Sequence, residues 1–326
     1  MTLLVDQGQV VQNAVSGRTS AVVIMGTILW CCSSLACGNP LAQSEIELEL
    51  GGAYRIAAMD WNIASDPRAV VTPNVLSALD WQDVSVLDLF YGLEARLPNH
   101  LFARVNGTLG NPAKGTMTDR DYSQNNRQGE IRRSTGSVTG QRSLQGGLTL
   151  GRYFLLGNRW QWQAAVGGTF STLELNNENG YLWVNAENPA KTGPIDGLDS
   201  DYNAYWYGFL AQIGWRYESD QWLFSGHYAQ VPKAYYSATA RWNLRSDLSQ
   251  PKSFDQDASG DGRLWSVKCG YQFLPQQWLS LEWYGEHWHA NKGEDHLYKP
   301  GQPTHITRLN SVSLDSSALA IVWMHR

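Results

Sequence analysis

From Glu45 onward, apolar and polar residues alternate with a period of two, and no stretch sustains the 3.6-residue period of an amphipathic helix. Between Trp81 and Leu97, one face carries Leu87, Leu89, Tyr91, Leu93, Ala95 and Leu97, and the other carries Asp88, Phe90, Glu94 and Arg96. Leu144, Leu148 and Leu150 alternate in the same way with Ser143, Gln145, Gly147 and Thr149. Tyr205, Tyr207, Phe209, Ala211, Ile213, Trp215 and Tyr217 lie opposite Gln212, Gly214 and Arg216. Trp265, Val267, Cys269, Tyr271 and Phe273 face away from Ser266, Lys268, Gly270 and Gln272. These runs predict an all-β chain.

Turn signals arrange the runs. Pro98-Asn99, Gly157-Asn158, Ser219-Asp220 and Pro275-Gln276 each join two alternating runs directly, as tight hairpin turns do. Polar stretches at 63–77, 113–139, 176–202, 245–262 and 292–307 read as long loops between them. Counting the runs gives ten antiparallel strands. Short turns on one side and long loops on the other are the pattern of an outer-membrane β-barrel, whose short turns face the periplasm. Several runs reach about 15 residues against the ~10 needed to cross a membrane, so their outer ends should project as an extracellular rim.

Composition supports a membrane barrel over a soluble sandwich. The 326 residues include 15 Trp and 15 Tyr. Trp160, Trp162, Tyr205, Trp215, Tyr217, Trp222 and Trp278 fall at the ends of apolar faces, where interfacial girdles sit. The opposite faces carry Asp88, Glu94, Arg96, Arg216, Lys268, Glu282 and Glu286. Periodicity cannot say which face points out; an export signal can. Arg18 precedes an apolar run from Ala21 to Leu35, followed by small residues and Pro40, which predicts a signal peptide over 1–42 and a single barrel domain over 43–326. Cleavage after Ala42 leaves Cys269 as the one cysteine of four, so the mature chain forms no internal disulfide. The net charge of −5, without a basic run, argues against nucleic acid as a partner. Ten strands enclose a narrow lumen, and charged walls should fill it with side chains.

Candidate chemistry begins with Asp119 and Asp121, at i and i+2 in Gly115–Tyr122. On an extended backbone both carboxylates point the same way and can share a proton or hold one water; a solvated acidic turn is the plainer alternative. Asp255–Gly262 is similar to a calcium loop but lacks the bidentate Glu, and reads as a flexible acidic loop. His287 and His289 continue the outward face of Leu279, Leu281 and Trp283, and His227 should face the lumen. With His296 and Asp295 the first two make a conceivable metal set, yet no spacing singles out zinc, so neither a metal nor a cofactor is expected. Arg120, Arg127, Arg132 and Arg133 suit lipopolysaccharide phosphates as a bound lipid at the rim.

This layout resembles the omptin family, ten-stranded outer-membrane endopeptidases with an active site at the extracellular rim. Leu79-Asp80-Trp81 is similar to the family's Leu-Asp-Trp, and Met117-Thr118-Asp119-Arg120-Asp121-Tyr122 to its Met-x-Asp-x-Asp-Trp. Gly157-Asn158, Tyr202 to Tyr217, and Ala290-Asn291-Lys292-Gly293 with Leu297-Tyr298 follow in matching order. The resemblance implies a catalytic pair at Asp119 and Asp121, facing an Asp-x-His pair on the seventh strand that helps activate a water. That place reads Ser237-Ala238-Thr239-Ala240-Arg241-Trp242, where nothing can take a proton from water. Losing such a base costs ~10²–10⁴-fold in rate. The expectation is therefore a monomeric, catalytically altered or non-proteolytic barrel whose extracellular loops bind a peptide or other ligand. An active endopeptidase cleaving near basic residues, and a small porin or export channel, are the alternatives.

Overall fold

The computed structural model describes residues 45–326; the segment read as a signal peptide lies outside them. Ten strands form one closed antiparallel barrel: β1 (Ile46–Ile63), β2 (Ser77–Leu97), β3 (Leu101–Gln124), β4 (Gln128–Leu156), β5 (Trp160–Asn185), β6 (Gly193–Glu218), β7 (Trp222–Arg241), β8 (Phe254–Leu274), β9 (Gln277–Leu297) and β10 (His305–His325). Each strand pairs with its chain neighbours, and β1 closes on β10 from Leu48↔His325 to Ile63↔Leu309. Closure matters because lipid offers no partner to an unpaired backbone group. The four tight turns stand where the sequence placed them, with Asn99 and Gly157 at φ 62° and 69°, residue types that accept the left-handed region.

The pleat sorts side chains as the alternation predicts. Leu87, Leu89, Ile213 and Phe209 point outward, Phe209 with 82% of its surface exposed, which only a lipid environment makes favourable. Asp88, Glu94, Arg216 and Glu282 are buried inside. One girdle assignment changes: Trp278 shares the inward parity of Ser280 and Glu282, so it is buried with Leu223 and Met324, under the Arg326 guanidinium.

Most of the stretches read as loops are strand. The β3–β4 turn spans only 125–127, and pairing continues from Thr116↔Ser137 to Gln124↔Gln128. β5 runs to Asn185 and β6 starts at Gly193. β8 begins at Phe254, so the acidic segment from Asp255 is extended strand and not a calcium loop. Above the lipid the outer face meets water, and a ladder of backbone bonds continues there without the apolar alternation that revealed it below.

The lumen is filled in two layers. In the lower layer charges pair: Arg55 donates to Asp88 at 2.8 Å and to Ser143 at 2.6 Å, Arg216 meets Glu47 at 3.0 Å, and Lys268 meets Glu282 at 3.0 Å. Above them aromatic rings cross from wall to wall. Trp81 of β2 packs on Tyr202 of β6 at 4.6 Å between centroids, and Trp206 of β6 stacks on Trp288 of β9 at 5.9 Å. Gly262 makes room for Trp288, because a Cβ there would lie 2.5 Å from its ring. Cavities of about 60 and 90 Å³ flank His227, room for a few waters and not for a pore.

Two outcomes follow from this filling. In planar bilayers the purified barrel should give no stable conductance, and steady open-channel steps would refute the filled lumen. Arg55→Ala strands the Asp88 charge and should cost about 3–5 kcal/mol in urea unfolding, whereas Arg55→Met with Asp88→Leu should cost far less.

Candidate functional site

Asp119 and Asp121 lie on the part of β3 that rises above the apolar band, and their side chains share the inward parity of Met117. Pairing fixes their neighbours: Leu79 and Ser134 flank Asp119, and Ser77 and Arg132 flank Asp121. Ser77 Oγ donates to Asp119 Oδ1 at 3.5 Å. Burial, and then the adjacent Asp121 charge, push the Asp119 carboxyl up to about 7, against the pull of Arg132, Ser77 and Arg245. Burial also raises Asp121. Asp80 meets Arg120 at 2.7 Å and Asp201 meets Arg241 at 2.6 Å, but among the described residues neither Asp119 nor Asp121 has a basic group within 4.0 Å. The pair can hold one proton between its members near neutrality, or a cationic group above that pH.

Ala238 and Ala240 of β7 face inward and are buried at 1% and 4% exposure. Their register partners are Gln256 and Phe254 on one side, and Ala204 and Tyr202 on the other. A buried polar chain runs beside them. The Tyr202 and Tyr236 hydroxyls meet, and both lie within hydrogen-bond distance of Gln256 Oε1, at 2.8 and 3.1 Å, while Gln256 Nε2 donates to Asp295 Oδ1 at 2.9 Å. Burial lifts the Asp295 carboxyl to about 6. Trp81, two residues along from Leu79, contacts Tyr202 and donates to Asn177 Oδ1 at 2.8 Å, so aromatic packing ties the two walls together.

The segment 242–253, between β7 and β8, folds back as a strap. Leu248 is buried, and Ser249 N–H donates to the Tyr298 carbonyl at 2.9 Å. Arg245 is held by Asp247 at 2.8 Å, yet its charge still acts on Asp119 and Asp121. The sequence reading grouped Asp295 with the outward histidines rather than with this inward chain, and did not single out Gln256 or Arg245. Asp295 escaped because β9 carries an extra residue relative to β8 between Asn291 and Glu294, which reverses parity: Ala290 and Asp295 both face in.

The histidines do not complete the site. His227 is in the lumen with Ser266 at 2.8 Å; His287 is outward on Asp315 at 2.6 Å; His289 shares that outward face. His296 points out while Asp295 points in, so the set His287, His289, His296 and Asp295 is not brought together. His305 stands exposed at the start of β10. Of the arginines, Arg120 and Arg133 face outward around Glu130 at 3.9 and 3.8 Å, and Arg132 turns inward beside the aspartates.

A family model described as "Pom: Protochlamydia outer membrane protein" matches residues 49–322. The chain belongs to this family. The Protochlamydia outer membrane protein family thereby gives the barrel its location, the outer membrane, with the short turns on the periplasmic side. The fold is similar to that of the outer membrane protease OmpT from Escherichia coli, with a TM-score of 0.73 at 11% identity over 87% of this chain and 96% of that one. That likeness extends to the omptin-like architecture of ten antiparallel strands. The translocator domain of autotransporter NalP from Neisseria meningitidis covers 94% of this chain and 95% of its own at a TM-score of 0.33 and 9% identity. A FadL homologue of Pseudomonas aeruginosa covers 86% and 90% at 0.30 and 8%. No curated protein matches the chain.

The raised Asp119 pKa has a testable sign. The folded value of about 7 lies above the ordinary value of 3.8, so this group favours folding most below 3.8 and that stability is lost as pH rises towards 7. Asp121→Asn removes the neighbouring charge and should bring Asp119 down, flattening that loss. Infrared titration of labelled Asp carboxyls checks it, and an Asp119 band titrating at the ordinary value in the wild type would count against the site.

Proposed function

We propose that this outer-membrane barrel is a non-proteolytic surface protein whose rim binds a cationic group of an extracellular ligand at Asp119 and Asp121. The observation that carries the reading is a pair of partly buried carboxylates on one face of β3 that, among the described residues, have no ion-pair partner. A carboxylate pair without a facing imidazole can still attract and orient a cation, because that needs only charge and shape. Hydrolysis needs in addition a base that takes a proton from water while the carbonyl is attacked. Arg245 on the 242–253 strap supports the same reading, since its charge moderates the pair without closing on it.

One observation favours a second reading. A carboxyl with a pKa of about 7 can itself act as the base, as paired aspartates do when they share a proton, and OmpT is a protease of similar fold. An endopeptidase cleaving near basic residues is the form this reading takes.

A fluorescent peptide with paired arginines separates the two. The expected result at pH 8 is binding without cleavage, weakened about tenfold or more in Asp119→Asn/Asp121→Asn, each tenfold being about 1.4 kcal/mol. Affinity should rise as pH increases through about 7, because the ionised pair is the binding form. Cleavage that vanishes in Asp119→Ala would overturn the non-proteolytic reading.

A further inference from the structure

The outer face of the rim, away from the aspartate pair, gathers a second cluster. Asp255 and Asp257 of β8 stand opposite His296 and Glu294 of β9, as two successive pairs on one face of an antiparallel ladder. Such neighbours lie about 4.5–5.5 Å apart at Cβ, close enough for four polar side chains to converge. His296 Nε2 lies 3.0 Å from Glu294 Oε2, and Nδ1 lies 3.0 Å from Asp255 Oδ1 and 3.7 Å from Asp257 Oδ2. One donor atom each from Asp257, Glu294 and His296 can be chosen so that all three lie within 4.8 Å of one another.

We propose that Asp257, Glu294 and His296 bind a divalent transition-metal ion such as Zn²⁺ at the extracellular rim, with Asp255 orienting the imidazole. The donor set decides the class. One imidazole with two carboxylates suits borderline ions, whereas Mg²⁺ and Ca²⁺ prefer oxygen alone. Bonds of 2.0–2.1 Å place neighbouring ligand atoms roughly 3.3 Å apart, so the atoms, now within 4.8 Å of one another, must draw together and Asp257 must swing from the Nδ1 side to Nε2. Asp257 and Glu294 can supply this movement, because their side chains are 63% and 61% exposed.

Asp255 adds an observation of a different kind. It accepts from His296 Nδ1, which directs Nε2 towards Glu294, the carboxylate–imidazole arrangement that fixes a metal-binding tautomer. Asp255 is held in turn by Tyr298 OH at 2.9 Å and by Lys252. It is thereby engaged as a positioning residue, and the two exposed carboxylates remain for the ion. Three protein ligands on an open face leave coordination positions for water or for a donor from outside. This site stands apart from the reading of Asp119 and Asp121, so either can fail without the other.

Zn²⁺ titration of the purified full chain in detergent, in competition with a fluorescent chelator, is the test. One equivalent should bind at micromolar concentration. His296→Ala or Asp257→Asn should weaken it at least tenfold, Asp255→Asn should weaken it with unchanged stoichiometry, and His287→Ala/His289→Ala should leave it intact. Heat-modifiable migration on gels verifies that each variant is folded. Should a ligand variant not fold, Co²⁺ on the wild type gives an independent readout: a visible absorption band that Zn²⁺ removes one for one. Zinc retained by His296→Ala, displacement of zinc by millimolar Mg²⁺ or Ca²⁺, or no binding at all would each overturn the proposal; the last means an ion-paired imidazolium only.

Discussion

The β1–β10 seam is the constraint from which the rest follows. A membrane offers nothing to an open strand edge, so the ladder must return on itself, and ten strands return around a narrow lumen. Once the ring is closed, every residue points either to lipid or into that lumen. Inward charges cannot reach bulk water and must find one another, as Arg55 finds Asp88 and Arg216 finds Glu47. Inward aromatics cannot avoid the far wall, so Trp81 meets Tyr202 and Trp206 meets Trp288.

This also explains which parts of the molecule could be read from the sequence. Through the membrane one face meets lipid and the other a polar lumen, so Leu87 and Leu89 against Asp88 and Glu94 announce the strand and its orientation together. The tight turns were equally plain, because Asn99 and Gly157 are suited to the backbone they adopt. Above the lipid those signals disappear: β3, β4, β5 and β6 continue as paired strands through sequence polar on both faces. Asp119 and Asp121 were still legible, because i and i+2 share a face on any strand that has no bulge between them. Asp295 and His296 were not, since their sides depend on an extra residue in β9 that shows in the pairing and not in the composition.

The two walls of the rim are chemically unequal. On the β3 wall, two carboxylates sit partly desolvated, eased by the Arg132 and Arg245 charges but ion-paired to neither, which burial makes unfavourable. On the β7 wall, alanines and a satisfied Tyr202–Tyr236–Gln256–Asp295 chain leave little polar capacity unused. A folded chain gains nothing in stability from an unpaired acidic couple. Its presence is easier to understand if something outside the protein supplies the missing charge, and the filled lumen below means that partner must arrive from the extracellular side.

The bulge in β9 carries the argument one step further. Were the same sequence run through as a regular strand, Ala290 parity would continue upward, turning Glu294 and His296 inward and Asp295 outward. The interior would then gain an imidazole next to the Tyr–Gln chain, and the outer face would lose the base that Asp255 and Glu294 now grip from both sides. The bulge absorbs the extra residue, so Glu294 and His296 stay on the outer face opposite Asp257 and Asp255, and Asp295 stays inside. The concentration of donors around His296 therefore depends on this local backbone irregularity, whereas Ala238 and Ala240 on β7 owe nothing to it.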